Sequence, residues 1–263
     1  MPTTTEFAPG TPCWVDLSTS DLDAARGFYG TVLGWNDFEV APAEAGYYTM
    51  ALVDGQRVAG MMTASDDERA MAVPPHWNTY VCTTSADDSA ERAQELGGTV
   101  VAGPFDVLDV GRMAVVLDRE GAAISVWEPR AHPGFGLLRQ PGAFTWVQLG
   151  SRDPEQAKAF YTELFGWKPE VHTEPMPYTE WKVNGTPVAG MLEITPDMGP
   201  MPVSWQVFFE VSDPDGAVDQ AKQAGGAVCV EPMDVPAGRF GTLGDPQGAV
   251  FSVMKSGPLM TQG

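Results

Sequence analysis

Trp14-Val15-Asp16-Leu17 opens a stretch that runs on to Phe28-Tyr29 and Leu33-Gly34-Trp35, and the chain then repeats it. Trp146-Val147-Gln148-Leu149 leads to Phe160-Tyr161 and Phe165-Gly166-Trp167, with Trp, Phe-Tyr and Gly-Trp each 132 residues after their counterparts. Val58-Ala59-Gly60-Met61 returns as Val188-Ala189-Gly190-Met191, and Gly97-Gly98 as Gly225-Gly226. Asp118-Arg119-Glu120-Gly121 returns as Asp245-Pro246-Gln247-Gly248. A period this long exceeds a solenoid unit, so the sequence predicts two homologous domains, at 10–128 and 142–255. The Pro- and Gly-rich segment 129–141 reads as a linker, and its Phe135, Leu137 and Leu138 predict that it packs on a domain.

Each repeat divides again. An alternating strand from Trp14 precedes a helix whose apolar stripe is Leu22, Ala25, Phe28, Tyr29 and Val32, with Ser20 as its cap and Gly34 as its stop. Three strands follow, around 35–40, 47–53 and 57–63, the last two joined by an Asp54-Gly55 hairpin turn. The order restarts with a strand at 78–83, a helix at 85–96 and strands near 99–101, 113–117 and 123–127. In the second repeat Asp153-Pro154 and Asp213-Pro214 each place an acidic cap before a first-turn proline, and Asn184-Gly185 makes the hairpin. The pattern is β-α-β-β-β four times over, an α+β fold.

Composition narrows the function. The 263 residues carry 43% hydrophobic and 19% charged side chains, as folded domains do. A formal charge of −20 disfavours nucleic acid and anionic membranes and favours cationic ligands near the surface. No run approaches a membrane span, and residues 1–12 lack the marks of a signal peptide. Cys13, Cys82 and Cys229 have no metal spacing and read as reduced thiols, so a cytoplasmic protein is expected.

Paired β-α-β-β-β units with a Phe-Tyr helix, a Gly-Trp ending and a late Asp-x-x-Gly turn resemble the vicinal oxygen chelate superfamily of glyoxalases, bleomycin-resistance proteins and extradiol dioxygenases. The tandem form, with Trp at the start of each repeat, looks most like actinobacterial two-domain proteins, relatives of which accompany aromatic-polyketide and anthracycline pathways. The resemblance implies two curved sheets, each around a cup. In metal-using members four inward side chains, mostly His and Glu, meet there.

Here those positions fall on Trp14 or Trp146, Asn78 or Gln206, Ser125 or Ser252, and a residue within 60–62 or 190–192. They supply no His or Glu set, so no metal and no cofactor are expected. Alternation groups Trp14 with Asp16, Asn78 with Tyr80 and Cys82, and Ser125 with Trp127. In the second cup it groups Trp146 with Gln148, Gln206 with Phe208 and Glu210, and Ser252 with Met254. Aromatic walls, a few hydrogen-bonding groups and one carboxylate per cup, Asp16 or Glu210, make a small-molecule pocket that suits a flat cationic ligand. Against this, Trp14 and Trp146 could plug cups that have lost function. Asp16, Glu210 and His172 are the candidates for a catalytic base. The expected function is metal-independent binding of an aromatic, cationic small molecule, an antibiotic or polyketide intermediate, by a monomer or weak homodimer. A metal-independent enzyme on such a ligand is the alternative, and a glyoxalase-type metalloenzyme is a third.

Overall fold

A computed structural model describes residues 6–174 and 177–257. The first repeat forms β1 (Pro12–Thr19), α1 (Leu22–Leu33), β2 (Asp37–Val40), β3 (Thr49–Val53) and β4 (Gln56–Thr63), then α2 (Asp66–Ala70). It continues with β5 (His76–Cys82), α3 (Ala86–Glu95), β6 (Thr99–Val107), β7 (Gly111–Leu117) and β8 (Ala123–Pro129). The second repeat forms β9 (Phe144–Ser151), α4 (Pro154–Phe165), β10 (Lys168–His172), β11 (Tyr178–Val183) and β12 (Thr186–Glu193). It ends with β13 (Ser204–Glu210), α5 (Pro214–Gln223), β14 (Ala227–Val235), β15 (Gly238–Gly244) and β16 (Val250–Ser256). Each repeat makes its own eight-stranded sheet, ordered β2-β3-β4-β1-β5-β8-β7-β6 and β10-β11-β12-β9-β13-β16-β15-β14. The first strands of the two units, β1 and β5 or β9 and β13, pair antiparallel at the centre, so each cup is lined from both units.

The local signals act largely as the sequence predicts, and the differences include an unforeseen short helix, α2, after β4. Asp21, not Ser20, caps α1, its carboxylate accepting from the Ala24 N–H. Asp213 holds the cap position of α5 without a side-chain cap bond. The strand expected near 99–101 extends to Val107.

The helical faces of the two sheets meet, α1 against α5 and α3 against α4, in one apolar core that crosses the domain boundary. The Gly-Trp endings explain themselves there. Trp35 is buried and donates its indole N–H to Gly142 O at 2.7 Å, while Trp167 donates to Gly10 O at 2.6 Å. Gly10 and Gly142 begin the two repeats with φ +84° and +85°, and a Cβ would come within 2.9 Å of Phe165 O or 2.6 Å of Leu33 O. Only glycine fits both demands.

The Phe-Tyr helices clasp the opposite domain's Asp-x-x-Gly turn. Tyr29 donates to Asp245 Oδ2 at 3.1 Å and accepts from Trp77 Nε1; Tyr161 donates to Asp118 Oδ2 at 2.9 Å and accepts from Trp205 Nε1. Tyr161→Phe would strand a buried carboxylate lone pair and an indole N–H together. It is expected to lower the unfolding free energy by about 1–3 kcal/mol in urea titrations.

Candidate functional site

The cup face of the first sheet carries a closed hydrogen-bond cluster. Asp16, on β1, is buried, and its Oδ2 accepts from Tyr48 Oη and Tyr80 Oη at 2.9 Å each. Its Oδ1 accepts from Asn78 Nδ2 at 3.0 Å, and Tyr48 Oη in turn accepts from Trp14 Nε1 at 2.8 Å. Burial pushes the Asp16 carboxyl above its ordinary range, and the bonds from Asn78, Tyr80 and Tyr48 oppose that rise. Burial, with the neighbouring carboxylate, holds both tyrosine hydroxyls well above theirs. Asp16 accepts three bonds where a carboxylate can take about four, and one lone-pair position remains beside the half-exposed Asn78 and Tyr48.

Register revises the expected ring of four positions. Asp16 lies between Gly60 on β4 and Asn78 on β5, while Trp14 is opposite Tyr80, which pairs with Ser125 on β8. The candidates therefore fall on two rows, with Asp16 rather than Trp14 on the row of Asn78. Trp127 forms a wall: its ring covers Gly111, where a Cβ would sit 2.2 Å from it, and its N–H donates to His132 O at 2.9 Å.

The second cup is built alike but has no carboxylate at the place of Asp16; Glu180, on β11, pairs with Gly190 in the row of Gln148 and is held by Lys182 at 3.3 Å. Gln148 replaces Asp16 opposite Gln206, Phe208 replaces Tyr80, and Trp146 Nε1 donates to Tyr178 Oη at 3.0 Å. Trp146, Phe208 and Met254 pack together, while Gln206 reaches Ser252, which also bonds Thr242. Glu210 lies at the end of β13, and its oxygens accept from Ser256, one from the backbone N–H at 2.9 Å and the other from the hydroxyl at 2.5 Å, so it also fastens the end of β16. His172 is exposed on the edge strand β10, 3.8 Å from Glu170. Its backbone is opposite Tyr178 across the β10–β11 pair, at the rim of the second cup.

Three residues escaped the sequence reading. Tyr48 and Tyr178 lie just before β3 and at the start of β11, each over the glycine of a Val-Ala-Gly-Met run; a Cβ on Gly60 or Gly190 would stand 1.8 Å from the hydroxyl. That repeated glycine was the available signal. The third is His132 in the linker, buried against Trp14 and Trp127 with ring centroids at 4.5 and 5.8 Å. Burial, with Arg57 adding to it, pushes its pKa down to about 4. A histidine depressed in the folded state contributes stability that is complete above its unfolded pKa of about 6.5 and is lost as pH falls toward 4. From pH 6.5 to 4 the wild type should lose up to about 3 kcal/mol more than His132→Phe in pH-dependent urea titrations.

The residues do not fit a divalent metal. Asp16 is the carboxylate that register brings opposite Asn78, and both its oxygens already accept from protein donors. The corresponding residues of the second cup, Gln148, Gln206 and Ser252, are neutral. Among the described residues, one group could gather around an ion elsewhere: Glu170, His172 and Glu180, within 4.8 Å of one another. Lys182 sits against both carboxylates, at 2.8 and 3.3 Å, and offsets one of their two charges.

Comparison with known proteins agrees with this architecture. The Glyoxalase/Bleomycin resistance protein/Dioxygenase superfamily profile matches residues 13–126 and again 143–253, and the chain belongs to that superfamily. It is 37% identical over 265 residues to a Mycobacterium tuberculosis protein whose name assigns it provisionally to the glyoxylases (CFP32), covering 98% of this chain and 99% of that one. It is also 37% identical over 268 residues to the anthracycline biosynthesis protein DauV of Streptomyces sp. strain C5, covering 95% of each. Among solved structures, the Mn(II)-bound glyoxalase from Novosphingobium aromaticivorans superposes with a TM-score of 0.62 at 16% identity, over 94% of this chain and 82% of that one. At that identity the likeness is one of fold. Among the described residues no helix is long and apolar enough to cross a membrane.

Proposed function

We propose that the protein binds an aromatic, positively charged small molecule without a metal, with the first cup as the binding site. Asp16 carries this reading: it is a buried carboxylate on the central strand pair of the first cup, close to an indole and dressed by three donors. Those donors keep it oriented while leaving room for one more, which a ligand ammonium can supply. The relatedness to DauV and to DnrV of Streptomyces peucetius, both named anthracycline biosynthesis proteins, supports an antibiotic or polyketide intermediate as the ligand. The role is then sequestration of the compound or assistance to its synthesis, by a monomer or weak homodimer.

The test is a tryptophan-fluorescence titration of chelator-treated protein with an amine-bearing anthracycline and with its amine-free aglycone. Saturable quenching at micromolar concentration is expected. Asp16→Asn should weaken the amine-bearing compound by at least about tenfold and leave the aglycone unchanged, as loss of one charge-assisted bond does. Trp14→Ala should weaken both by at least about tenfold. Unchanged affinity in both variants would remove the first cup from consideration.

A second reading is favoured by one observation, the upward shift of Asp16. A carboxyl raised by burial and linked through Tyr48 to Trp14 can accept a proton from a bound substrate. Turnover lost in Asp16→Asn with binding retained would select this metal-independent enzyme.

A further inference from the structure

Among the buried polar side chains of the described residues, His132 stands apart. The imidazole is buried at 5% exposure, yet neither ring nitrogen has a hydrogen-bond partner among the described residues. Buried polar atoms are nearly always paired, so two orphans on one side chain call for a reason.

The surroundings supply one. Trp14 is 3% exposed because the linker covers it: His132 meets its ring at 88° and 4.5 Å, and Phe135 lies 5.3 Å away. The linker backbone is well fastened. His132 N donates to Val110 O at 3.0 Å, Phe135 N to Cys13 O at 2.9 Å and Gly136 N to Arg57 O at 2.8 Å. Phe135 also stacks on Phe144 at 4.7 Å. The imidazole is therefore the poorly satisfied part of a firmly held strap, and a side-chain rotation is enough to move it off the indole.

The second domain gives the contrast. Trp146 borders a cavity of about 280 Å³, whose walls include Phe7, Leu138, Phe144 and Pro187. Gly136 is fastened to Arg57 on β4, and Pro187 holds the matching position of the repeat on β12. Among the described residues no aromatic ring pairs with Trp146 as His132 pairs with Trp14.

We infer that the face of Trp14 under the linker is a ligand subsite which the protein fills with its own His132, and that a flat fused aromatic displaces the imidazole on binding. This rests on the proposal that the first cup binds the ligand. The displaced ring is neutral while buried. Arg57, on β4, is the charged group whose field reaches it, and is itself paired with Glu39 at 2.9 Å. From β8 it meets the uncharged Trp127, and from β1 Trp14, with Asp16 two residues further along the same strand.

The experiment follows histidine resonances by NMR and affinity by fluorescence on the full chain, with an amine-bearing anthracycline as probe. On binding, the His132 pKa should rise from about 4 toward the ordinary value of about 6.5. His132→Ala should tighten binding by at least about fivefold, because the competent state no longer waits on an open ring. His132→Phe, which fills the seat without orphaned nitrogens, should weaken it by a similar factor. If the wild type binds but the His132 pKa stays put, or if alanine binds no better than wild type, the self-occupied subsite is wrong and the binding site stands. If neither wild type nor His132→Ala binds the probe, the proposal of a first-cup site falls first.

Discussion

Asp16→Ala is expected to destabilise the protein by about 3–5 kcal/mol, because three buried or half-buried donors lose one acceptor together and each orphaned donor costs about 1–3 kcal/mol. The losses do not simply add, since Tyr48 can turn toward another oxygen and water can enter beside Asn78. Asp16→Asn should behave quite differently. The amide keeps the shape and one acceptor oxygen but turns an N–H donor toward partners that themselves donate, so this variant should cost about 1–3 kcal/mol, less than alanine. The comparison separates shape and bonding from charge: alanine loses stability and binding, asparagine loses the affinity for an amine. Urea titrations beside the fluorescence titration read both. Equal stability losses in the two variants would mean that the carboxylate's charge, rather than its bonding, holds the cluster.

Gly60→Ala should produce a loss of similar size from a single added methyl group. The new Cβ would lie 1.8 Å from Tyr48 Oη, 2.3 Å from its Cζ and 2.9 Å from the Asp16 Cβ. The far end of a tyrosine can swing away, but this one is held by Trp14 and Asp16, so moving it breaks both bonds. Overpacking costs about 1–3 kcal/mol and the stranded indole N–H and carboxylate a further 1–3 or so. The double variant Gly60→Ala with Tyr48→Ala should be little worse than Tyr48→Ala alone, a coupling of about 1–3 kcal/mol in a double-mutant cycle. Additive losses would show that the glycine is needed for another reason.

Much of this fold could be read from residues in order. The 132-residue offset, the Gly-Trp helix endings and the Asp-Gly and Asn-Gly hairpins give the two domains and the order of their elements along the chain, because each signal is local. The faces were legible too: alternation placed Asp16, Asn78 and Tyr80 on one side, and they meet. What failed was long-range register and occupancy. Counting from landmarks put Trp14 on the row of Asn78, whereas strand pairing puts Asp16 there. The bond of Glu210 to Ser256, 46 residues away, likewise depends on strand pairing and not on any local pattern. Phe135, Leu137 and Leu138 foretell that the linker packs on a domain, but no period in it singles out His132 or Trp14 as the place of contact.

The two indole bonds at the domain boundary carry a consequence for how the molecule assembles. Trp35 of the first repeat is satisfied by the carbonyl that opens the second, and Trp167 by the one that opens the first. Tyr29 and Tyr161 cross the same boundary in opposite directions. Neither half can complete its own interior, so cutting the chain in the linker should yield two fragments that are each unfolded when alone and native when mixed. Unfolding of the intact chain should then be a single all-or-none transition, and the twofold exchange of partners is the arrangement that two copies of an ancestral single-repeat chain would have used to form a symmetric pair.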